Sequence, residues 1–298
     1  MRGKIRLARR HHTAYALDVF FLLVILFVVA VTLPVDLLAQ PEGKPEIAPQ
    51  ILYHTLTYKV NGVQAEIAVN DVPILYGEYR EPISHSGLIN MWVKPGKNVV
   101  TVRLLPLKGP QKEGEFFEFT VTSGRSPQTA INGPKLAQFK WRIEESKERL
   151  PLEKIFKFTP LRPPPSELWT KAEVLKLDEE TEERAKEFVR RLSEALVKRN
   201  VEDLTKLLEF RLQERDRWLH GGTQKFSDTR KDVEELLDAA EFQPVDMESL
   251  EMHLVAGGQL IWVTGKDYSR VLKVKGGASE AETDIYLARI EGDWTLAR

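Results

Sequence analysis

Asn98-Val99-Val100-Thr101-Val102-Arg103-Leu104 is the stretch that decides the fold of the first half of this 298-residue chain. Its alternating pattern has the period of a strand with one buried face, and Pro95-Gly96 in front of it predicts a tight turn. The same period recurs from Ile51 to Ile143, with turn residues about every eight to twelve positions. A two-sheet β-sandwich is the natural way to bury so many half-apolar strands.

Further strands of this region share the alternation: Leu52–Tyr58, Glu66–Val69, Leu88–Val93, Phe116–Val121 and Gln138–Ile143. Asn61-Gly62 predicts a hairpin between the first two of them. Asn70-Asp71 predicts a second turn. Residues 51–145 are therefore predicted to hold about seven strands and no helix.

Residues 69–73 and 89–102 together resemble the jelly-roll and immunoglobulin-like β-sandwich modules of bacterial exported proteins, including carbohydrate-active enzymes. The resemblance implies a sandwich fold and, as one alternative, sugar binding through exposed aromatic rings. Trp92 and Trp141 are the candidate sugar-facing aromatics. Aromatic residues on alternating strands more often belong to a core, so a buried position is the competing interpretation.

The pattern changes after a proline triplet, Pro163-Pro164-Pro165, which cannot continue a helix or a central strand. Three helices are then predicted: one from Asp178, its N-cap, to Asn200, one over Leu204–Leu212, and one after Ser227-Asp228. Strands with glycine turns follow from Leu250 to Ala297. Helices followed by an antiparallel meander predict an α+β domain with helices on one face of a curved sheet.

This order of elements resembles the nuclear-transport-factor-2-like, or SnoaL-like, cone fold. The strings LSEALVKRNVEDL at 192–204 and ARIEGDWTLAR at 288–298 are similar to parts of that family. The resemblance implies an α+β cone over residues 178–298. Its members include enzymes with an acid or a histidine in the cone, small-ligand binders and non-catalytic assembly modules, so the fold alone does not assign a function.

An enzyme of this fold would hold an acid/base pair in an apolar pocket, where desolvation moves pKa values toward the working pH. The candidate pocket residues are Asp216, Trp218, His220, Trp262 and Tyr268. Asp216 lies in a dense run of charges that favours a solvated helix face, and His220 precedes Gly221-Gly222, where a helix would end. Strand alternation predicts that His253 faces solvent. No paired catalytic constellation is evident.

Composition excludes several classes of site. The chain has no cysteine, so it holds no disulfide, no thiolate metal site and no acylated-cysteine anchor. Its six histidines are scattered except for His11-His12, and neither a metal site nor a cofactor is predicted. The formal net charge is −1 and no basic patch follows the N-terminal head, which argues against a nucleic-acid partner.

The first forty residues predict export. Basic residues at positions 4, 6, 9 and 10 precede the apolar run Val19–Leu33, an arrangement that directs the rest of the chain outward. As a helix, Ala14–Leu38 would span about 37 Å, enough to cross a bilayer, with Asp18 near the interface. Ala39 suits signal peptidase and Leu37 does not, so a retained anchor and a cleaved signal both stay open.

The predicted organisation has five parts: a signal peptide or signal anchor (1–40), a tether (41–50), a β-sandwich (51–145), a proline-rich linker (146–177) and an α+β cone (178–298). The leading hypothesis is an exported or membrane-anchored, non-enzymatic binding or scaffold protein of a bacterial-type cell envelope. Its expected partners are the membrane, through residues 14–38, a protein or glycan of the envelope, and a second copy of the chain. A small-molecule enzyme using the cone pocket and a carbohydrate-binding module are the alternatives.

Overall fold

The computed structural model describes residues 52–109, 113–220, 228–276 and 279–297. Over these residues the chain is α+β with antiparallel sheets, as the sequence predicts. The predicted export segment and tether, residues 1–50, lie outside the described ranges. Within those ranges, no helix combines the length and the apolar content that crossing a membrane requires.

Two four-stranded antiparallel sheets form the first unit, residues 52–158. The strands are β1 Tyr53–Asn61, β2 Val63–Val69, β3 Val72–Tyr79, β4 Ile83–Leu88, β5 Asn98–Pro106, β6 Phe116–Gly124, β7 Lys135–Arg142 and β8 Leu152–Phe158. One sheet has the order β4-β1-β6-β7 and the other the order β3-β2-β5-β8. Every second side chain points between the sheets, and these side chains form one buried cluster.

The predicted strand that opens with Asn98 is confirmed, and it is central to its sheet. β5 pairs with β2 on one side and with β8 on the other. Val100, Val102 and Leu104 are completely buried in the core, whereas Arg103 points outward and pairs with Glu66 at 2.8 Å. The alternation therefore separates an apolar face from a charged one.

The predicted strand Leu88–Val93 is wrong, because the chain turns into a short 3-10 helix after β4 ends. Two buried asparagines hold this loop. Asn98 Oδ1 accepts from the N–H of Lys94 at 2.9 Å, and Asn70 Nδ2 donates to the carbonyl of Trp92 at 2.7 Å. These bonds satisfy backbone groups that a strand would have paired, and so they outweigh the local strand propensity.

Asn61-Gly62 is a corner between the two sheets and not a hairpin, which corrects the prediction. β1 pairs with β4 and β6, whereas β2 pairs with β3 and β5. Gly62 has a φ of +73°, and its N–H donates to the Tyr79 carbonyl at 2.7 Å. Glycine can adopt the positive φ that both a hairpin turn and a corner between sheets require, so Asn61-Gly62 does not distinguish the two. Asn70-Asp71 is a hairpin turn, as predicted.

The predicted linker 146–177 begins too early, because it contains β8. Leu152–Phe158 is an edge strand whose Phe156 ring lies 5.1 Å from that of Phe119. Glu153 and Lys157 lie on the exposed side of this strand, and with them the segment is less readily recognised as a strand from its sequence. The expectation of no helix in the first unit is also wrong, since helix α1 (Pro127–Ile131) packs across β1 and β6.

The second unit, residues 168–297, begins with helices α2 Leu168–Lys171, α3 Glu179–Val197, α4 Val201–His220 and α5 Thr229–Ala239. Asp178 caps α3 as predicted, and its carboxylate accepts the N–H of Thr181 at 2.9 Å. Asp228 caps α5 in the same way. The three longer helices are therefore confirmed, because caps and apolar stripes are local signals.

Seven strands follow: β9 Glu241–Phe242, β10 Glu251–Val255, β11 Leu260–Thr264, β12 Leu272–Gly276, β13 Ser279–Thr283, β14 Ile285–Ile290 and β15 Asp293–Leu296. They form a sheet of order β10-β11-β14-β15 and a sheet of order β13-β12-β9. On β11, Ile261 and Val263 pack into the cluster of the helices, whereas Leu260 and Trp262 pack into the cluster of the first unit. β14 is divided in the same manner.

We expect Gly133→Ala to lower the free energy of unfolding by about 3 kcal/mol or more, because an added methyl group has no room. A Cβ at Gly133 would lie 1.7 Å from the backbone carbonyl oxygen of Ser123. At the control position Gly87, a Cβ would first meet the movable His85 ring at 3.2 Å, and we expect a loss of less than about 1 kcal/mol. Urea unfolding of the full chain in detergent measures both. Equal stability of the two variants would contradict the packing after α1.

We expect acid to destabilise the fold through His54, which is completely buried. Burial lowers the pKa of His54 to about 4, whereas an unfolded histidine titrates near pH 6.5. Between these values the unfolded chain binds the extra proton, so stability falls as the pH drops through this window, by about 3 kcal/mol in total. Urea unfolding at neutral pH and at about pH 5 should show a flatter dependence in His54→Leu. Parallel profiles would contradict this assignment.

Candidate functional site

The two units meet along a seam, which we define by Tyr76 and Trp92 of the first unit and Trp262, Asp284 and Tyr286 of the second. Trp262 and Tyr286 are directly opposite one another on β11 and β14. They therefore point to the same face of the sheet, toward the first unit. Their side chains belong to the same buried cluster as the core of the first unit. The buried cluster of the first unit thus extends onto this face of the second unit's sheet.

The carboxylate of Asp284 gathers three donors in the seam. Its Oδ1 accepts from the Tyr76 hydroxyl at 3.0 Å and from the Trp262 indole N–H at 3.2 Å. Its Oδ2 lies 3.4 Å from Nε of Arg270. A carboxylate this deeply buried requires such partners, because it has lost its hydration. Burial and then the charge of Asp284 raise the pKa of Tyr76, so the hydroxyl keeps the proton that it donates.

Aromatic rings fill the rest of the seam. Trp92 lies 5.1 Å from Tyr286 between ring centroids, and Tyr76 meets Trp262 edge-on at 5.4 Å. The hydroxyl of Tyr286 donates to the carbonyl of Pro73 at 3.1 Å, so its polar end is also satisfied. Rings at these separations touch one another directly. The seam is therefore a packed junction.

His253 and Tyr268 form the rim of the seam. Their rings stack at 4.9 Å, and Nε2 of His253 lies 3.1 Å from Oγ1 of Thr264. Burial lowers the pKa of His253 and raises that of Tyr268, so both side chains are uncharged at neutral pH. The prediction that His253 faces solvent is wrong. The ring is half-buried against Trp262 and Tyr268, because His253 is directly opposite Trp262 on the neighbouring strand and points to the same face of the sheet.

Tyr268 has a φ of +59° in the turn after β11, in the left-handed region that non-glycine residues rarely adopt. Its ring packs against both His253 and Trp262, and these contacts offset the unfavourable backbone conformation. The polar groups of the seam bind one another and hold the two units together. Asp284 is already engaged, and His253 Nε2 lies 4.0 Å from the Glu251 carboxylate, beyond hydrogen-bonding distance.

The structure brings together two of the predicted pocket residues, Trp262 and Tyr268, whose ring centroids are 5.7 Å apart. Asp216 and Trp218 lie on α4. Asp216 is only 7% exposed and pairs with Arg215, which also reaches Asp232 of α5 at 2.6 Å. Its predicted solvated position is therefore wrong, because α5 packs over that part of α4.

The fifth predicted pocket residue, His220, ends α4, as expected for a residue in front of two glycines. Its side chain lies outside the described part of the chain. Trp218 is buried, and within the described residues its indole N–H has no hydrogen-bond acceptor. The five residues of the predicted pocket are therefore divided between the seam and α4.

Trp92 and Trp141 are each 1% exposed, which corrects their candidacy as a sugar-facing pair. Trp92 packs on Tyr286 in the seam, and the indole N–H of Trp141 donates to the carbonyl of Glu148 at 3.1 Å. Both rings belong to the same buried cluster, Trp141 from the inner face of β7 and Trp92 from the short 3-10 helix after β4.

Sequence reasoning missed Asp284 and Arg270, since neither belongs to a motif. The sequence does contain one signal. Asp284 directly precedes the apolar stretch Ile285–Ala288, and an acidic residue next to a buried strand needs a hydrogen-bonding or charged partner. Within the described residues, no three metal-ligating side chains come together. A scan against family models matches no family, and searches of curated proteins and of solved structures find no match.

We expect Asp284→Ala to lower the free energy of unfolding by about 3–5 kcal/mol, because the Tyr76 hydroxyl and the Trp262 indole N–H lose this acceptor and Arg270 loses its buried counter-charge. Tyr76→Phe removes one donor and should cost about 1 kcal/mol. The exposed Asp238 is the control, and Asp238→Ala should change stability by less than about 0.5 kcal/mol.

Urea unfolding of the full chain measures the three variants of this series. We also expect Asp284→Ala to separate the unfolding of the two units into two transitions, visible by calorimetry. An Asp284→Ala variant as stable as Asp238→Ala would contradict the role of the seam as the junction.

Proposed function

We propose that this chain is an exported or membrane-anchored, non-enzymatic binding or scaffold protein of a bacterial-type cell envelope. The observation that carries the proposal is the seam, in which a buried carboxylate with three donors and a set of packed rings join the two units. Neighbouring domains move relative to one another unless a large apolar interface holds them. A joined pair presents recognition surfaces at a fixed separation, as a scaffold requires.

The proposal assigns a β-sandwich to the first unit and an α+β cone to the second, with the boundary at Pro163–Pro165. Two four-stranded sheets around one core support the sandwich. Helices α3 to α5, packed on one face of the β10-β11-β14-β15 sheet, support the cone. The resemblance to the SnoaL-like fold remains part of this proposal.

The proposed location outside the membrane is inferred from the N-terminal segment. An uncharged apolar run follows a basic head, and such a segment directs the remainder of a chain across the membrane. The proposal places both units on the outer side, attached through residues 14–38 or released after cleavage near Ala39. Without cysteine, the exported units depend on packing alone for their stability.

The filled interior of the second unit favours a non-enzymatic role over the cone-pocket enzyme. The space between the helices and the sheet is occupied by buried apolar side chains: Leu192, Leu204, Val263, Ile285 and Leu287. A pocket enzyme needs open volume with an acid/base pair in it. The carbohydrate-binding alternative has lost its two aromatic candidates, which are buried.

Fractionation of expressing cells, followed by mass spectrometry of the mature N-terminus, tests the proposed location and membrane attachment. We expect the full chain in the membrane fraction, resistant to carbonate extraction and cleaved by protease added from the outer side. Leu26→Arg, which places a charge in the apolar run, should reduce insertion by about tenfold or more, whereas the matched Leu26→Ala should insert normally.

Recovery of a chain that begins at Gln40 would contradict the anchor and leave the export proposal standing. A full-length chain in the soluble cytosolic fraction would contradict export itself.

A further inference from the structure

A cationic and apolar patch lies where the chain enters its folded part. We call it the entry patch and define it by Arg125, Ile131 and Lys135. The first described strand begins beside it, since Tyr53 of β1 is opposite Gly124 at the end of β6. Lys135 begins β7 in the adjacent row of the same sheet. Chain entry and patch therefore share one end of this sheet.

The charge of this region has one sign. Residues 119–143 contain four basic residues and no aspartate or glutamate, whereas basic and acidic residues are interspersed over most of the chain after the N-terminal head. Arg142 and Lys140, at the other end of β7, pair with glutamates. Arg125 and Lys135 are exposed and form no ion pair with any other residue that the structure describes. Their charge is thus available to an anionic partner.

Helix α1 presents the apolar part of the patch on a fixed support. Ala130 is completely buried against β6, and Ser126 and Thr129 close the start of the helix with reciprocal hydrogen bonds. Ile131 follows Ala130 and is 46% exposed. Ile131 lies between Arg125 and Lys135 in the sequence, and an exposed apolar side chain together with basic ones is the combination that favours binding to an anionic lipid surface.

We propose that the entry patch rests on the anionic lipid surface of the membrane that holds the N-terminal segment. This inference rests on the anchored form of the proposed function. About 13 residues separate Leu38 from Leu52, and they span at most about 45 Å when extended. The patch therefore always lies within reach of the bilayer. Basic residues are attracted to anionic headgroups, and Ile131 enters the interface beneath them.

The experiment uses single cysteines in the full chain, which has none of its own. Ile131→Cys carries an environment-sensitive fluorophore, and Ile155→Cys is the matched control. Ile155 is also an exposed isoleucine, at 59%, but it lies on edge strand β8 of the other sheet. Both proteins are reconstituted into nanodiscs of phosphatidylcholine alone and of phosphatidylcholine with about one quarter phosphatidylglycerol.

We expect the label at 131 to brighten about twofold in the anionic discs and to be quenched by nitroxide lipids, while the label at 155 stays unchanged. Arg125→Glu combined with Lys135→Glu should abolish the difference between the two disc compositions. Equal signals from 131 and 155 in the anionic discs would overturn the patch. Failure of the chain to migrate with the discs would overturn the anchor, and the patch with it, so the two failures are distinguishable.

Discussion

Strands β11 and β14 are buried on both faces, and the rest of the structure depends on this constraint. A strand with one wet face needs apolar residues only at alternate positions, whereas these two need a partner for every side chain. The helices cover one face through Ile261 and Val263. The first unit covers the other through Trp262 and Tyr286. Neither unit can withdraw without exposing half of the same two strands.

The seam also determines where recognition can take place. The carboxylate of Asp284 and the hydroxyl groups of Tyr76 and Tyr286 all bind groups of the protein itself. Their hydrogen-bonding capacity is used within the junction. In the proposed scaffold, contacts with other molecules would therefore be made by the outer surfaces, such as the polar face of the β4-β1-β6-β7 sheet. A junction whose polar groups are all engaged supports that proposal over a pocket protein.

Local signals in the sequence predicted most of the helices and strands. They did not predict which distant residues contact one another. The alternation around Val100 and the cap at Asp178 depend on neighbours within a few positions, so both could be read directly. Asn61-Gly62 predicted a reversal but could not say whether the next strand stays in the sheet or leaves it. Asp284 acquires its role from Tyr76, 208 residues away, and no local pattern records that contact.

The hydrogen bond from Tyr286 to Pro73 joins positions 213 residues apart, and this separation determines the order in which parts of the molecule can fold. A chain is synthesised from its N-terminal side, so Trp92 is made long before strand β14, whose Tyr286 packs against it. During that interval an indole and a sheet edge are open to solvent and to other nascent chains. The buried cluster of the first unit is therefore complete only when β11 and β14 are present, so the packing of Trp92 depends on strands that follow it by more than 160 residues.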